Sequence, residues 1–390
     1  MTRATPVVFL GLLAGLLGAA GCGDNDSDTA RDAAPATSAT PQGAAPADTT
    51  AESTPSTTQA TRAPAAPPRG KVRLVAKDLE VPWDIGFLPN GDALVTERDS
   101  RRLVQIPADG GPLKSVMTVP GVKPEGEGGL LGLAVSPRFA KDGFVYLYFT
   151  SDRDNRIARV HLPTKRMKTV LTGIQKGSTH NGGALEFGPD GKLYAGVGEA
   201  GVPELSQNRA SLNGKILRLE PSGSPAEGNP FRRSPVWSLG HRNVQGLAWD
   251  SAGRLWATEF GQNEVDEVNL IRRGRNYGWP VVEGRGDGQA GKYTGPVVTW
   301  SPTSESSPSG GAIVGDELYV GALAGQRLWR IGLEEGTADR PESLLDGQLG
   351  RIRAVAASPR GTIWFSTSNR DGRGDPADID DRVLELGVEE

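Results

Sequence analysis

The sequence predicts an all-β fold, a six-bladed β-propeller that follows a signal peptide and a disordered linker. Three observations support this prediction. A turn followed by an alternating apolar strand recurs six times, glycine and proline are abundant at 53 and 29 of 390 residues, and a segment without large apolar side chains precedes the first repeat. Many short strands joined by tight turns require such glycines and prolines, so we expect few helices.

The first element is a signal peptide over residues 1–21. It has a positive charge at Arg3, an apolar stretch from Val7 to Leu17 and small residues up to Gly21, the order typical of an export signal. The apolar stretch is too short to span a bilayer. We therefore expect the protein to be exported.

Cys22 is the single cysteine of the chain, so it cannot form an internal disulfide. It follows Ala19-Ala20-Gly21, which resembles the lipobox of bacterial lipoproteins, although leucine is commoner where Ala19 stands. Lipid chains on Cys22 would hold the protein at the outer face of the cell membrane. An ordinary secretory peptide with an incidental cysteine is the alternative.

The second element is a tether over residues 22–69. Between Gly23 and Gly70 there is no Val, Ile, Leu, Met or aromatic residue. Such a segment cannot bury enough apolar surface to offset the entropy of ordering it. We expect a flexible linker stiffened by proline, with a processed pro-segment as the alternative.

The third element is the propeller, residues 70–390. The six copies of the turn-and-strand pattern are Phe87–Thr96, Val135–Phe149, Phe187–Ala195, Trp249–Ala257, Val314–Val320 and Ala357–Phe365. Their turns fall near residues 91, 143, 191, 253, 316 and 361, at the spacing of four-stranded blades. A pair of β-sandwiches is the alternative, but sandwich strands would not repeat at this length. Long loops near residues 200–235 and 280–310 are expected on one face, around the central channel.

The charge balance indicates which partners the propeller can have. The chain carries 43 Lys and Arg against 47 Asp and Glu. No broad basic surface is available to neutralise phosphates, so we expect no nucleic acid partner. A small or weakly charged ligand fits this composition better.

His180 is the strongest candidate for a catalytic residue. Only three histidines occur, and His161 stands at a predicted strand end where a structural role is expected. His180 lies in the polar loop Ser178–Gly183, and a neutral imidazole can take a hydroxyl proton near neutral pH. Glu199, at the far end of the same hairpin, could orient the ring. A loop histidine bound only to backbone is the alternative.

Two further runs contain arginines. Arg242, Asn243 and Gln245 follow each other between apolar flanks, and a guanidinium suits a carboxylate or a quinone oxygen. Arg351 and Arg353 are two residues apart, which places both on one face of a strand and suits a polyanionic ligand. A surface loop and a solvated strand face are the respective alternatives.

Oxygen ligands for calcium could come from the segment after residue 260. Glu264, Asp266 and Glu267 lie close to glycine-rich backbone, although without EF-hand spacing. Asp266 could equally form a turn.

Together these motifs resemble the glucose/sorbosone dehydrogenase family, the soluble enzymes that use pyrroloquinoline quinone (PQQ). The resemblance covers nearly all of residues 74–388. The motifs are Val81-Pro-Trp-Asp84, Glu125-Gly-Glu-Gly-Gly-Leu-Leu-Gly132, His180-Asn-Gly-Gly183, Gly240-His-Arg-Asn-Val-Gln-Gly246, Asp266-Glu-Val-Asn-Leu270, Asn276-Tyr-Gly-Trp-Pro280, Gly321-Ala-Leu323 and Arg351-Ile-Arg353. They are individually weak and in this order highly specific.

The resemblance implies PQQ-dependent oxidation of an aldose sugar, with electrons passed to an external acceptor. It makes His180 the general base, steadied by Glu199, while hydride leaves the anomeric carbon for the quinone. The residues that it implies for binding the cofactor are Glu127, Arg242, Asn243, Arg351 and Arg353. It implies that the carbonyls of Gly261 and Gln262 ligate Ca²⁺, and that Asp266, Glu267 and Tyr277 support that loop or a second calcium site.

The sequence departs from the family pattern at three positions. Ala324 stands where relatives place a lysine that reaches the quinone, although Arg327 is close in sequence. Phe260 replaces a polar residue beside the calcium loop, and Glu199 replaces an aspartate. Ala324 favours a second function, a carbohydrate-binding propeller that has lost its cofactor. A third function is a calcium-dependent lactonase, since other six-bladed propellers perform that chemistry around a central metal, but the paired arginines would have no role in it.

Overall fold

The structure is a computed structural model that describes residues 70–286 and 291–387. The predicted signal peptide, Cys22 and the predicted tether lie outside the described residues. No helix in the described part of the chain is long and apolar enough to cross a membrane.

The described chain forms six antiparallel sheets, each of which is one blade of a propeller. Strand β1 (Val72–Ala76) belongs to the last blade. Blade 1 contains β2 (Pro82–Phe87), β3 (Ala93–Glu97), β4 (Arg102–Ile106) and β5 (Lys114–Thr118). Blade 2 contains β6 (Leu130–Val135), β7 (Phe144–Thr150), β8 (Asn155–His161) and β9 (Arg166–Ile174). Blade 3 contains β10 (Leu185–Phe187), β11 (Leu193–Val197), β12 (Lys215–Leu219) and β13 (Val236–Leu239).

The second half repeats this arrangement. Blade 4 contains β14 (Val244–Trp249), β15 (Leu255–Glu259), β16 (Asp266–Ile271) and β17 (Val298–Trp300). Blade 5 contains β18 (Pro308–Val314), β19 (Glu317–Ala322) and β20 (Arg327–Glu334), which pairs with both β21 (Thr337–Ala338) and β22 (Glu342–Leu344). Blade 6 contains β23 (Ile352–Ala357), β24 (Ile363–Thr367), β25 (Val383–Leu386) and β1. The helices are short: α1 (Phe139–Asp142) and two 3₁₀ turns, Pro203–Ser206 and Thr303–Glu305.

Six blades and a nearly all-β fold confirm the sequence prediction. The turn between the first two strands of every blade contains a glycine with positive φ, a conformation that glycine adopts without strain. These glycines are Gly91, Gly143, Gly191, Gly253, Gly315 and Gly361. The repeat in the sequence is therefore the first hairpin of each blade.

The ring closes through the two ends of the propeller. The N-terminal strand β1 pairs antiparallel with β25, so that Val72 lies opposite Leu386. Gly70 donates a backbone hydrogen bond of 2.6 Å to the carbonyl of Gly387. The last blade is thus built from both ends of the chain, with β1 as its outer strand covering the edge of β25.

The inner strands of the six blades together surround the central axis, and all six run in the same direction along it. We call the end of the ring where the inner strands begin the site face, and the end where they finish the far face. Gly70 and Gly387 lie at the far face, because β1 enters beside the end of β25.

Apolar side chains between neighbouring blades form the core. One cluster joins Ile85 and Val95 of blade 1 to Ala354 and Trp364 of blade 6. The inner strands approach closely: a Cβ on Gly132 would lie 2.0 Å from the carbonyl oxygen of Gly183. Only glycine fits at that contact, which sets the narrow spacing of blades 2 and 3 around the axis.

The expectation of long loops on one face was wrong for residues 200–235. The segment from 198 to 214 connects β11 to β12 at the site face, whereas the segment from 220 to 235 connects β12 to β13 at the far face. Strand β12 separates these two segments. The irregular composition of residues 200–235 gave no signal of this strand.

Candidate active site

The candidate site lies at the site face, where the loops that lead into the inner strands converge. His180 precedes β10, Arg242 precedes β14 and Arg351 precedes β23. Since consecutive inner strands are parallel around one axis, residues at the same place in different blades meet at one mouth.

His180 is held in a single orientation. Its backbone φ is +53°, an uncommon conformation for a residue with a side chain, and its amide donates a 3.0 Å hydrogen bond to Glu127 Oε2. Its Nδ1 lies 2.5 Å from Oε1 of the buried Glu199. His161, in contrast, ends β8 and binds Thr164, in agreement with a structural role.

Arg242 contacts the other side of the His180 ring, with Nη2 3.0 Å from Nε2. A guanidinium only donates, so Nε2 accepts and Nδ1 carries the proton donated to Glu199. This tautomer leaves the basic lone pair at Nε2, on the side of the ring that faces Arg242. The ring therefore has the orientation required of a general base.

Several contacts fix Arg242 itself. Its Nε and Nη2 donate to Gln262 Oε1 at 3.0 and 2.6 Å, and Nη1 donates to the Phe260 carbonyl at 3.2 Å. Its backbone amide donates to Glu259. Burial lowers the pKa of Arg242 from its ordinary value, and the Glu199 carboxylate opposes that effect.

Asn243 belongs to a buried amide network. Its Oδ1 accepts from the Gly182 amide at 3.0 Å and from Gln245 Nε2 at 2.9 Å. No described residue accepts a hydrogen bond from Asn243 Nδ2, which is free to donate to a ligand. The network ties the His180 loop to β14.

A small pocket beside His180 is lined by four guanidinium groups, those of Arg98, Arg351, Arg353 and Arg373. Two carboxylates face them. Asp371 accepts from Arg351 at 2.8 Å, and Glu127 accepts from Arg373 at 3.0 Å. Arg98 is paired with Asp99 at 2.7 Å, so Arg353 is the one of the four that has no carboxylate partner among the described residues, and it leaves an excess of positive charge that suits an anionic ligand.

Arg353 is the cation in this pocket with the fewest protein partners. Its guanidinium lies 4.5 Å from the centre of the Trp83 ring, and no described residue accepts a hydrogen bond from it. Burial, with the nearby positive charge of Arg98, lowers the pKa of Arg353 to about 9. A ligand carboxylate beside Arg353 would relieve this cost, so the pocket suits an anionic group.

The residues predicted around calcium are placed together but have protein partners. Asp266 accepts from the amides of Gly261 at 2.9 Å and Ser307 at 2.7 Å. Glu267 accepts from Gly284 N at 2.8 Å and Asn269 Nδ2 at 2.9 Å, and the Tyr277 hydroxyl donates to Leu270 O at 2.6 Å.

These three residues therefore shape the loop, and a role as calcium ligands stays a prediction. The described residues contain no group of three or more His, Cys, Asp or Glu side chains that could hold a metal. The carbonyls of Gly261 and Gln262 accept no hydrogen bond from the described chain, so two oxygens of the kind calcium prefers are available.

The structure also locates the departures from the family pattern. Ala324 is exposed beside the pocket-lining Leu323. Arg327 does not replace the missing lysine, because it binds Asp346 at 3.0 Å and the Gly325 carbonyl at 2.8 Å. The extra cations of the pocket are Arg98 and Arg373, which sequence reasoning missed, as it missed Asp371, the partner of Arg351. Nothing in the composition of these loops signals a site, since only the closure of the ring brings them to the axis.

The fold and these side chains define a propeller of the sugar dehydrogenase class. Residues 79–375 match the family model described as Glucose / Sorbosone dehydrogenase, and the chain belongs to that family.

Two solved structures and one further relative, compared by sequence, are similar to this chain. The PQQ-bound form of aldose sugar dehydrogenase from Streptomyces coelicolor is 50% identical, with a TM-score of 0.79, over 83% of this chain and 100% of that one. A putative oxidoreductase (glucose dehydrogenase) from Thermus thermophilus is 43% identical, with a TM-score of 0.74, over 82% of this chain and 100% of that chain. Aldose sugar dehydrogenase of Escherichia coli is 28% identical over 79% of this chain and 92% of its own length. These similarities support an oxidoreductase that acts on a small sugar.

Proposed function

We propose that the protein is a PQQ-dependent aldose sugar dehydrogenase that acts at the outer cell surface. The observation that carries the proposal is His180, whose Nε2 is held by Arg242 and whose Nδ1 is held by Glu199, next to an arginine-lined pocket. PQQ supplies an electrophilic quinone that accepts hydride when it is bound.

The chain's own residues would perform the proton chemistry. His180 Nε2 would take the proton of the anomeric hydroxyl, and Glu199 would stabilise the imidazolium that results. Because Arg242 donates to the same Nε2, the substrate hydroxyl would have to replace or share that contact. Arg242 would then turn its donor to the oxygen on which negative charge develops.

The cofactor would be held by charge and by fixed amides. Arg351 and Arg353 would bind carboxylates of the quinone, and Arg98 would add to the positive field. The free Nδ2 of Asn243 would donate to a quinone oxygen. The Streptomyces coelicolor relative, which was solved with PQQ, supports this choice of cofactor.

Calcium would lie at the loop that follows β15, ligated by the carbonyls of Gly261 and Gln262 and acting as a Lewis acid. Electrons would pass to an external acceptor. Lipid on Cys22 would anchor the protein to the membrane.

The competing functions lack comparable support. A propeller that had lost its cofactor would not need a guanidinium such as Arg353 without protein acceptors. A lactonase would not need a histidine and an arginine in contact at one nitrogen.

The decisive experiment adds PQQ and Ca²⁺ to the full chain and follows dye reduction with glucose, other aldoses and lactones. We expect dye reduction with an aldose, abolished in His180→Ala while PQQ still binds. Absence of both bound quinone and dye reduction contradicts the proposal, and turnover retained in His180→Ala contradicts the assigned base. Palmitate labelling that survives Cys22→Ser contradicts the lipid anchor.

A further inference from the structure

A second cavity, of about 430 Å³, occupies the centre of the ring between the candidate site and the far face. Residues from all six inner strands line it. At one end it shares Trp83, Gln245 and Arg353 with the arginine pocket. At the other end it reaches Phe87 and Trp249, where inner strands finish. The cavity therefore extends from the wall of the site to the opposite end of the ring, with room for several water molecules of about 30 Å³ each.

Three charged side chains line this cavity: Asp84 of β2, Glu186 of β10 and Arg353 of β23. Asp84 crosses to blade 2, where Oδ2 accepts the Leu133 amide at 2.8 Å, while its Oδ1 accepts the Ile85 amide at 2.8 Å. Glu186 accepts only the Phe187 amide, at 3.1 Å, and its side chain is exposed to the cavity. The two carboxyl groups thus flank the inner strand of blade 2.

Their surroundings favour the protonated forms. Burial raises the pKa of Asp84 to about 7, against the lowering effects of its two amides and of Arg353. Glu186 is exposed to the cavity yet lies deep in the ring of strands, and this depth, with the charge of Asp84, raises its pKa to about 8. Both groups can gain and lose a proton near neutral pH.

Two carboxyl groups without a third His, Cys, Asp or Glu do not form a metal-binding group in the described chain. Proton transfer is a chemistry that two carboxyl groups with pKa values near neutral can perform. The proposed function requires it, because oxidation of a sugar to a lactone removes two electrons and two protons, and an acceptor that takes electrons alone leaves both protons to be discharged.

We propose that the central cavity is a proton exit route, in which Asp84 and Glu186 pass protons from the site to the far face. Protons would enter past Gln245 and Trp83, move between the two carboxyl groups through water, and leave beyond Phe87. Sugar and acceptor could then occupy the mouth at the site face while protons depart at the other end. This inference rests on the proposed function.

The first test does not use the cofactor. Infrared difference spectra of the full chain, titrated from pH 5 to 9, should include two carboxyl C=O bands from Asp84 and Glu186 that disappear near neutral pH, beside those of other buried carboxyl groups such as Asp266 and Asp381. Glu186→Gln should remove one of them; Glu186 accepts a single amide, so glutamine replaces it without loss of a hydrogen bond. Asp84→Asn should remove the other. Asp152→Asn, an exposed residue on blade 2, should remove neither. Failure of the bands to respond to these variants overturns the route.

The second test follows proton release with a pH-indicator dye during reoxidation of sugar-reduced protein by a one-electron acceptor. We expect proton release and reoxidation to slow by about tenfold or more in Glu186→Gln and in the double variant Asp84→Asn/Glu186→Gln. Sugar-driven reduction should be unchanged. A small weak acid such as formate should restore part of the rate.

The two proposals fail in different ways. If the wild-type protein binds no quinone and shows no sugar-driven reduction, the proposed function fails and the route fails with it. If the wild type turns over and Glu186→Gln releases protons at the wild-type rate, the route alone is wrong.

Discussion

At the scale of single residues, the carboxylate behind His180 controls the base. Glu199 is 1% exposed in its side chain, and its Oε2 has no hydrogen-bond partner in the described chain, so its charge is directed at the imidazole. Glu199→Gln keeps the shape and removes the charge. We expect kcat to fall by roughly 10²- to 10⁴-fold with PQQ affinity unchanged.

Steady-state kinetics and quinone titration of the same sample check this prediction. Glu199→Asp should retain part of the rate. Glu204→Gln, an exposed residue in the following loop, is the matched control. A loss of quinone binding equal to the loss of rate would show that Glu199 supports the pocket and not the base.

Arg353 is the second residue with a clear expectation. Since it has no protein acceptor in the described residues, its substitution removes a ligand contact and leaves no protein group unpaired. Arg353→Gln should weaken PQQ binding by about 10- to 100-fold, the usual value for a hydrogen bond to a charged group. Isothermal titration with PQQ measures it, with Arg360→Gln at the far face as the control. Equal affinity in both variants would place the quinone elsewhere.

Part of the site followed from the sequence. His180, Glu199 and Arg242 stand in short polar runs beside strand signals, and the structure places all three in one hydrogen-bonded row. Arg98 and Asp371 gave no signal, because they lie about 270 residues apart in loops that only ring closure brings together. Residues beside a local strand or turn signal can thus be predicted from the sequence, whereas a contact between two distant loops cannot.

At the scale of elements, one carboxylate organises the loop after β15. Glu283 Oε1 accepts the amides of four consecutive residues, 262 to 265, at 2.6 to 3.2 Å. The same loop presents Gln262 to Arg242. The sequence marked this loop by its own acidic residues, whereas the residue that holds it comes from the segment before β17.

Glu283→Ala should therefore loosen the loop and with it the guanidinium that faces His180. We expect the amides of 262–265 to lose hydrogen-exchange protection, and kcat to fall while the unfolding temperature changes little, because the loop adds little to the core. Glu264→Ala, an exposed residue of the same loop, should show neither effect. Unchanged exchange rates in Glu283→Ala would contradict the role given to this carboxylate.

At the scale of the whole molecule, stability depends on closing the ring. Deletion of residues 70–76 removes β1 and exposes the edge of β25. We expect the unfolding temperature to fall by about 5 °C or more, since 1 kcal/mol shifts a domain above 150 residues by roughly 2–4 °C. Calorimetry of the deletion variant and of a chain that begins at Gly70 checks this prediction. Equal unfolding temperatures of the two proteins would show that β1 is dispensable.

The central cavity predicts how stability varies with pH. The pKa of Glu186 is about 8 in the folded protein and near 4.5 when unfolded, so the folded state binds the proton more tightly. Its contribution is complete below pH 4.5 and is lost as pH rises toward 8. Glu186→Gln should flatten this decline in denaturant titrations at pH 5, 6.5 and 8. An identical pH profile in the two proteins would contradict the raised pKa.

The number and position of the blades could be predicted because each first hairpin carries a local glycine turn, such as Gly91 or Gly361. The ring's closing pair, β1 with β25, could not be predicted, because pairing between the two ends of the propeller, such as Val72 with Leu386, leaves no local pattern in the chain.

That closing pair also determines how the molecule can be attached to other materials. Both ends of the propeller, Gly70 and Gly387, lie opposite the opening that contains His180. A bead, an electrode or a fused protein joined through either end would meet the back of the ring and leave the reactive opening turned outward. Immobilisation through the termini should therefore preserve access for sugar, whereas cross-linking through a residue such as Lys176, beside the His180 loop, should obstruct it.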